Sequence, residues 1–180
     1  MIIAVNQILG ILTVLGQVMI ILLLGSWWFS RQSLSKLFNF LGKKFLILLL
    51  FIALVATLGS LFYSEIAGYQ PCQLCWYQRI LMYPQVLLLA LALWRKELSI
   101  LNYTALLSLF GAALAGYHYL MQLGVAPALG CAAIGYSISC SQRFVLQFGY
   151  ITIPLMSFTA FTLIFLLSVL PKSLSKPKVS

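Results

Sequence analysis

Five apolar runs dominate this chain: Met1 to Phe29, Phe45 to Tyr63, Ile80 to Trp94, Leu98 to Met121 and Phe144 to Leu170. A helix needs roughly 20 apolar residues to cross a hydrocarbon core, and each run approaches that length with few or no internal charges. The third run extends back through Trp76 and Leu74 to Pro71, interrupted only by Arg79, so its helix is expected to begin near Cys72. With 63% hydrophobic and 7% charged residues over 180 positions, the chain cannot be an ordinary soluble domain. A formal charge of +9 would suit nucleic acid or anionic lipid, and the hydropathy decides for the bilayer and against nucleic acid. The expected class is an all-α membrane protein.

Basic residues in short connections report orientation. Arg31, Lys36, Lys43 and Lys44 follow the first span, Arg95 and Lys96 follow the third, and Lys172, Lys176 and Lys178 occupy the tail. These nine belong on the cytoplasmic side, which leaves only Arg79 and Arg143 toward the other. The N-terminus is therefore expected outside and the C-terminus inside. The first span has no basic segment before it and its positive charges follow it, so a retained helix is favoured over a cleaved signal peptide. Asn6 and Gln7 then lie at its outer end, with Trp27 and Trp28 at the inner interface. The tail from Pro171 to Ser180 is polar and basic and is expected to be disordered.

All four cysteines fall on the outer side: Cys72 and Cys75 as a C-x-x-C pair at the start of the third helix, Cys131 and Cys140 in the second outer loop. Cysteine is also a small hydrophobe, but scattered packing residues would not be confined to one face of the membrane. Two separated pairs could form a tetrahedral zinc site, although thiols on an oxidising face tend to pair with each other. Two inert structural bridges are a further reading.

The surroundings favour redox chemistry. Cys72 and Cys75 share a helix face at a separation compatible with a disulfide. Pro71 suits a helix start, and the free N–H groups there favour a thiolate. Arg79, one turn beyond Cys75, is about 6 Å deeper by helix rise. It could snorkel to headgroups, but an ionisable group in the apolar zone is costly, and binding a polar ligand group is the better reading. His118 and Gln122 lie one turn apart at the matching depth of the fourth span. A lone histidine is often a packing residue; this one falls at the level of Cys75 and Arg79, which makes it a candidate site residue.

The run from Pro71-Cys72-Gln73-Leu74-Cys75-Trp76 through Tyr77-Gln78-Arg79-Ile80-Leu81-Met82-Tyr83-Pro84 resembles the signature of the DsbB family, bacterial membrane thiol oxidases that reoxidise DsbA-type proteins and pass electrons to quinone. Tyr117 to Leu123 in the next helix and the second cysteine pair extend the resemblance, which covers about Lys43 to Leu170. It implies a four-helix transmembrane bundle over residues 45–170, preceded here by one additional transmembrane helix (1–29) and a cytoplasmic basic linker (30–44), and followed by a cytoplasmic tail (171–180). It further implies that Cys72 and Cys75 are the quinone-linked pair, with Cys75 acting on the quinone. Arg79, His118 and Gln122 would be the quinone-site residues, and Cys131 and Cys140 the pair that exchanges with a DsbA-like thiol oxidase, Cys131 being attacked first. The quinone would be ubiquinone or menaquinone, the membrane the bacterial inner membrane, and no metal would be required.

The chain departs from the common form of the family in two ways. Only eight residues separate Cys131 from Cys140, as in short-loop members, and the first span has no counterpart in the four-helix form. Vitamin K epoxide reductase relatives carry the loop pair before the C-x-x-C; here the order is reversed. A competing reading is a soft-metal-handling membrane protein with the outward thiols as a relay. It would call for acidic or histidine-rich entry sites, and the only acidic residues are Glu65 and Glu97.

Overall fold

The computed structural model describes residues 1–29, 44–127 and 140–175. Most of the basic linker with Arg31, Lys36 and Lys43, the loop segment containing Cys131, and the end of the tail with Lys176 and Lys178 lie outside the described residues. The helices are α1 (Ile2–Phe29), α2 (Phe45–Leu61), α3 (Gln73–Arg95), α4 (Leu101–Gln122) and α5 (Ile153–Ser175). A π-helical turn, Phe62–Ile66, continues α2. The protein is an all-helical membrane bundle.

Helices α2 to α5 close into a ring in which each packs on its chain neighbour and α5 returns against α2. The tightest contact, α4 on α5, follows from small residues: Gly111 lies so close to Phe161 that a Cβ would overlap the ring, and a Cβ on Gly116 would meet Phe158 at 3.4 Å. Without a hydrophobic drive between helices in lipid, such close approach supplies the packing energy. Leu46, Leu49, Leu89, Leu101, Phe161 and Ile164 fill the ring's interior. The additional helix α1 sits outside the ring and leans on α5, through a face on which Gly10, Thr13 and Gly16 are buried.

Among the described residues, four segments are long and apolar enough to cross a membrane: Ile2–Phe29, Phe45–Ile66, Leu101–Gln122 and Ile153–Pro171. Helix α3 is the exception among the five expected spans. Its 23 residues reach about 35 Å at 1.5 Å per residue, but Gln73, Gln78, Arg79 and Gln85 dilute its hydropathy. Three of these polar side chains are satisfied by neighbouring helices. Gln78 meets His118 at 3.0 Å, Arg79 donates to Ser60 at 2.9 Å, and Gln85 accepts from Ser108 at 2.9 Å. Internal satisfaction is what permits polar groups at membrane depth.

The last helix differs from the apolar run that announced it. Helix α5 begins at Ile153, not Phe144, because residues 144–152 make a reversal closed by paired backbone bonds between Gln147 and Ile151, both 2.9 Å. Phe148 and Gly149 turn the chain at φ 51° and 80°, and Pro154 occupies the first helical turn, where its missing N–H costs nothing. At the other end α5 continues through Pro171 to Ser175, into the segment expected to be disordered.

Candidate active site

Cys72 is the N-cap of α3, in extended conformation (φ −73°, ψ 174°). Its carbonyl accepts from the Trp76 N–H at 3.1 Å, closing the first turn and carrying Cys75 round to the same face. The two Sγ atoms are 3.0 Å apart and both thiols are free, whereas Cys140 is disulfide-bonded. Cys72 and Cys140 belong to one buried cluster with Leu74 and Met121, against which Cys75 packs.

His118 of α4 joins these elements. It is 2% exposed. Its Nε2 lies 3.0 Å from the Cys140 carbonyl and 3.7 Å from Cys72 Sγ, and its Nδ1 lies 3.0 Å from Gln78 Nε2. A carbonyl can only accept, so Nε2 carries a hydrogen directed at Cys140, while Nδ1 pairs with the side-chain amide of Gln78. At the cap, outside α3 itself, the Cys72 thiol is held well below the usual thiol range. The hydrogen bond with Cys75 is the main cause; His118 adds to it and burial opposes it. The reduced pair thus favours a thiolate on Cys72.

Two neighbouring cavities meet at Cys75. The smaller, about 30 Å³, is lined by Cys72, Cys75, His118, Gln122 and Cys140. Gln122 donates from Nε2 to the Gln142 carbonyl at 3.0 Å, while its buried Oε1 has no partner among the described residues. The larger, about 70 Å³, is lined by Cys75, Gln78, Arg79 and Tyr83, with Tyr63, Tyr69 and Phe144 as an aromatic wall. Those three rings stack in sequence at centroid distances of 5.9 and 4.9 Å. The sequence-derived ligand residues therefore divide: Arg79 borders the larger cavity, His118 and Gln122 the smaller, and Cys75 both.

Arg79 does not simply reach for a headgroup. Its Nε donates to Ser60 Oγ and its second terminal nitrogen to the Ser60 carbonyl, both at 2.9 Å, with the guanidinium 5.3 Å from the Trp76 ring centroid. Ser60, Gln78 and Tyr83 escaped the sequence reading. Gln78 carried a signal, as a glutamine three residues beyond Cys75 in an apolar helix; Ser60 carried none, since serine is ordinary in such helices.

Cys72, Cys75 and His118 also present ligand atoms within 4.8 Å of one another, a spacing that could hold a metal ion. The hydrogen-bond pattern opposes this. Nε2 faces the sulfurs but is engaged with the Cys140 carbonyl at 3.0 Å, a bond that a metal ligand there would have to give up.

Residues 43–171 match the family described as disulfide bond formation protein DsbB. The chain is 45% identical to the SPbeta prophage-derived disulfide bond formation protein B of Bacillus subtilis, over 68% of this chain and 82% of that one. It is 42% identical to a probable disulfide formation protein C of Halalkalibacterium halodurans, over 66% and 85%, and 40% identical to disulfide bond formation protein C of Bacillus subtilis, over 67% and 87%. No solved structure gives a significant match. The fold and the paired sulfurs define a multi-pass membrane protein of disulfide formation. The chain belongs to the DsbB family.

Proposed function

We propose that this protein reoxidises a DsbA-like thiol oxidase outside the cytoplasm and passes the electrons to membrane quinone. The observation that carries the reading is the position of Cys75, shared by a cavity containing Cys72, His118 and Cys140 and by a second cavity containing Arg79 and Tyr83. One sulfur can thereby receive electrons from one side and deliver them to the other.

A partner thiolate attacks Cys131 of a Cys131–Cys140 disulfide and displaces the Cys140 thiolate. The partner's second thiol then breaks the mixed disulfide, so the partner leaves oxidised and both loop cysteines are reduced. Cys140, packed in one cluster with Cys72, passes the reduction to the Cys72–Cys75 disulfide and the loop bridge re-forms. In the reduced pair, the Cys75 proton moves to Cys72 across the 3.0 Å contact, leaving the Cys75 thiolate at the larger cavity beside the Arg79 cation. Quinone, as second substrate, takes two electrons and two protons and leaves as quinol, while Cys72–Cys75 returns to the disulfide.

The larger cavity fits such a ligand. Tyr83 Oη is buried there with no partner among the described residues, a donor in waiting for a carbonyl oxygen. The stacked aromatic wall suits a flat ring. The soft-metal reading would require His118 Nε2 to give up the Cys140 carbonyl.

Coupled turnover tests the reading. Purified protein mixed with a reduced DsbA-type substrate and quinone should reduce one quinone for each substrate disulfide formed, followed by quinone absorbance and thiol count. Substrate oxidation that proceeds without quinone consumption, in the absence of oxygen, would overturn it.

A further inference from the structure

Helix α1 lies outside the segment that matches the family, yet it is seated specifically. Asn6 Oδ1 accepts from Tyr63 Oη at 3.0 Å, and Gln17 Oε1 accepts from Tyr150 Oη at 2.9 Å. At Gly16 the backbone comes so near α5 that a Cβ would meet Thr159 at 2.9 Å and Leu163 at 3.0 Å. While leaning on α5, α1 leaves a gap toward α2. That gap is a cavity of about 270 Å³ with a mostly apolar lining, walled by α1, α2 and α5.

The gap adjoins the cavity beside Cys75. Ala56, Ser60, Tyr63, Ile153 and Ser157 border both. A ligand spanning the two would place a polar head near Arg79 and Tyr83 and an apolar chain between α1 and α2. Tyr63 ties the two parts together, since it borders each cavity and donates to Asn6 of α1.

We infer that α1 is the tail-reading element of this protein: it closes an apolar channel for the isoprenoid tail of the quinone whose ring is proposed to sit beside Cys75. The inference rests on that proposal and adds α1 as a specificity-determining wall. Lipid solvates an isoprenoid tail as well as an apolar side chain does, so the channel contributes little hydrophobic drive. What it contributes is shape: a tail that fits lets the ring seat, and one that collides with the wall holds the ring out. Leu12, Thr13 and Met19 of α1 line the channel without touching the cysteines.

The test compares two quinones with one head group, one with a long isoprenoid tail and one with a single isoprene unit. The readout is the quinone concentration giving half-maximal turnover in detergent–lipid micelles. Thr13→Leu, which intrudes from α1, should raise that concentration for the long-tailed quinone by at least about fivefold, the low end of what overpacking costs. The short-tailed quinone should change by less than about twofold, within the scatter expected of a distant substitution. Met19→Ala, which enlarges the channel and guards against a folding defect in the first variant, should weaken discrimination among tail lengths. Equal shifts for both quinones, or no shift in either variant, would overturn the role of α1. Failure of the unaltered protein to reduce either quinone would overturn the quinone reading itself, and the inference with it.

Discussion

His118 shows how a single side chain in this bundle depends on its partners. Its two ring nitrogens are committed to Gln78 and to the Cys140 carbonyl, and Nε2 also lies 3.7 Å from Cys72 Sγ, so it bridges α3 and the second loop. Replacing Gln78 by Leu leaves Nδ1 buried without that partner. Thermal unfolding should show a loss of about 1–3 kcal/mol, the usual cost of an unsatisfied buried group, with slower exchange between the loop pair and Cys72–Cys75 in stopped-flow. Tyr83→Phe should behave in the opposite way. It removes a hydroxyl with no partner among the described residues, so the melting temperature should hold, while the quinone concentration for half-maximal turnover rises by roughly 2- to 13-fold, the worth of one neutral hydrogen bond. Arg79→Ala should raise that concentration further and leave thiol exchange intact, with Arg79→Lys recovering only part, because an ammonium lacks the planar fork now held by Ser60. The candidate residues were readable where polarity was conspicuous in an apolar helix, as at Arg79 and His118. Ser60 and Tyr83 were not, since their importance comes from a neighbouring helix that only the fold brings close.

At the scale of elements, hydropathy located all five described helices and misplaced the start of the last. It assigned residues 144–152 to the last span because they are apolar, although they form a turn in which Val145 and Ile151 are buried while Leu146, Phe148 and Tyr150 stay exposed. Apolar composition reports burial or lipid contact, and a turn at the membrane surface can have both. Mean hydropathy alone underrates α3, although the helix starts near Cys72 as expected, because Gln78 and Gln85 are paired inside the ring. The α4–α5 contact makes a sharper claim. Gly111→Ala should destabilise the bundle by about 1–3 kcal/mol, the range for overpacking, because its methyl would strike Phe161. Gly25→Ala, where the new Cβ meets nothing within 4 Å, is the control and should be neutral or slightly stabilising in a helix. Both can be read from thermal unfolding in matched detergent.

For the whole molecule, charge decides which face of the membrane the cysteines occupy. The nine basic residues assigned to the cytoplasmic side predict that a reporter fused after Ser180 is active inside the cell, and that a maleimide too polar to cross the membrane labels reduced loop cysteines from outside. Across the thickness of the bundle, the C-x-x-C pair is the proposed point through which all electrons pass to quinone. The most direct measurement uses a protein in which Cys131 and Cys140 are both replaced by Ser, leaving Cys72 and Cys75 alone. Reduced, freed of reductant and given quinone without oxygen, it should convert one quinone per molecule and return to a disulfide; a protein carrying only Cys131 and Cys140 should convert almost none. If the loop pair alone reduces quinone at a comparable rate, or the Cys72–Cys75 pair fails to do so while correctly folded, the assignment of Cys75 to the acceptor side is contradicted.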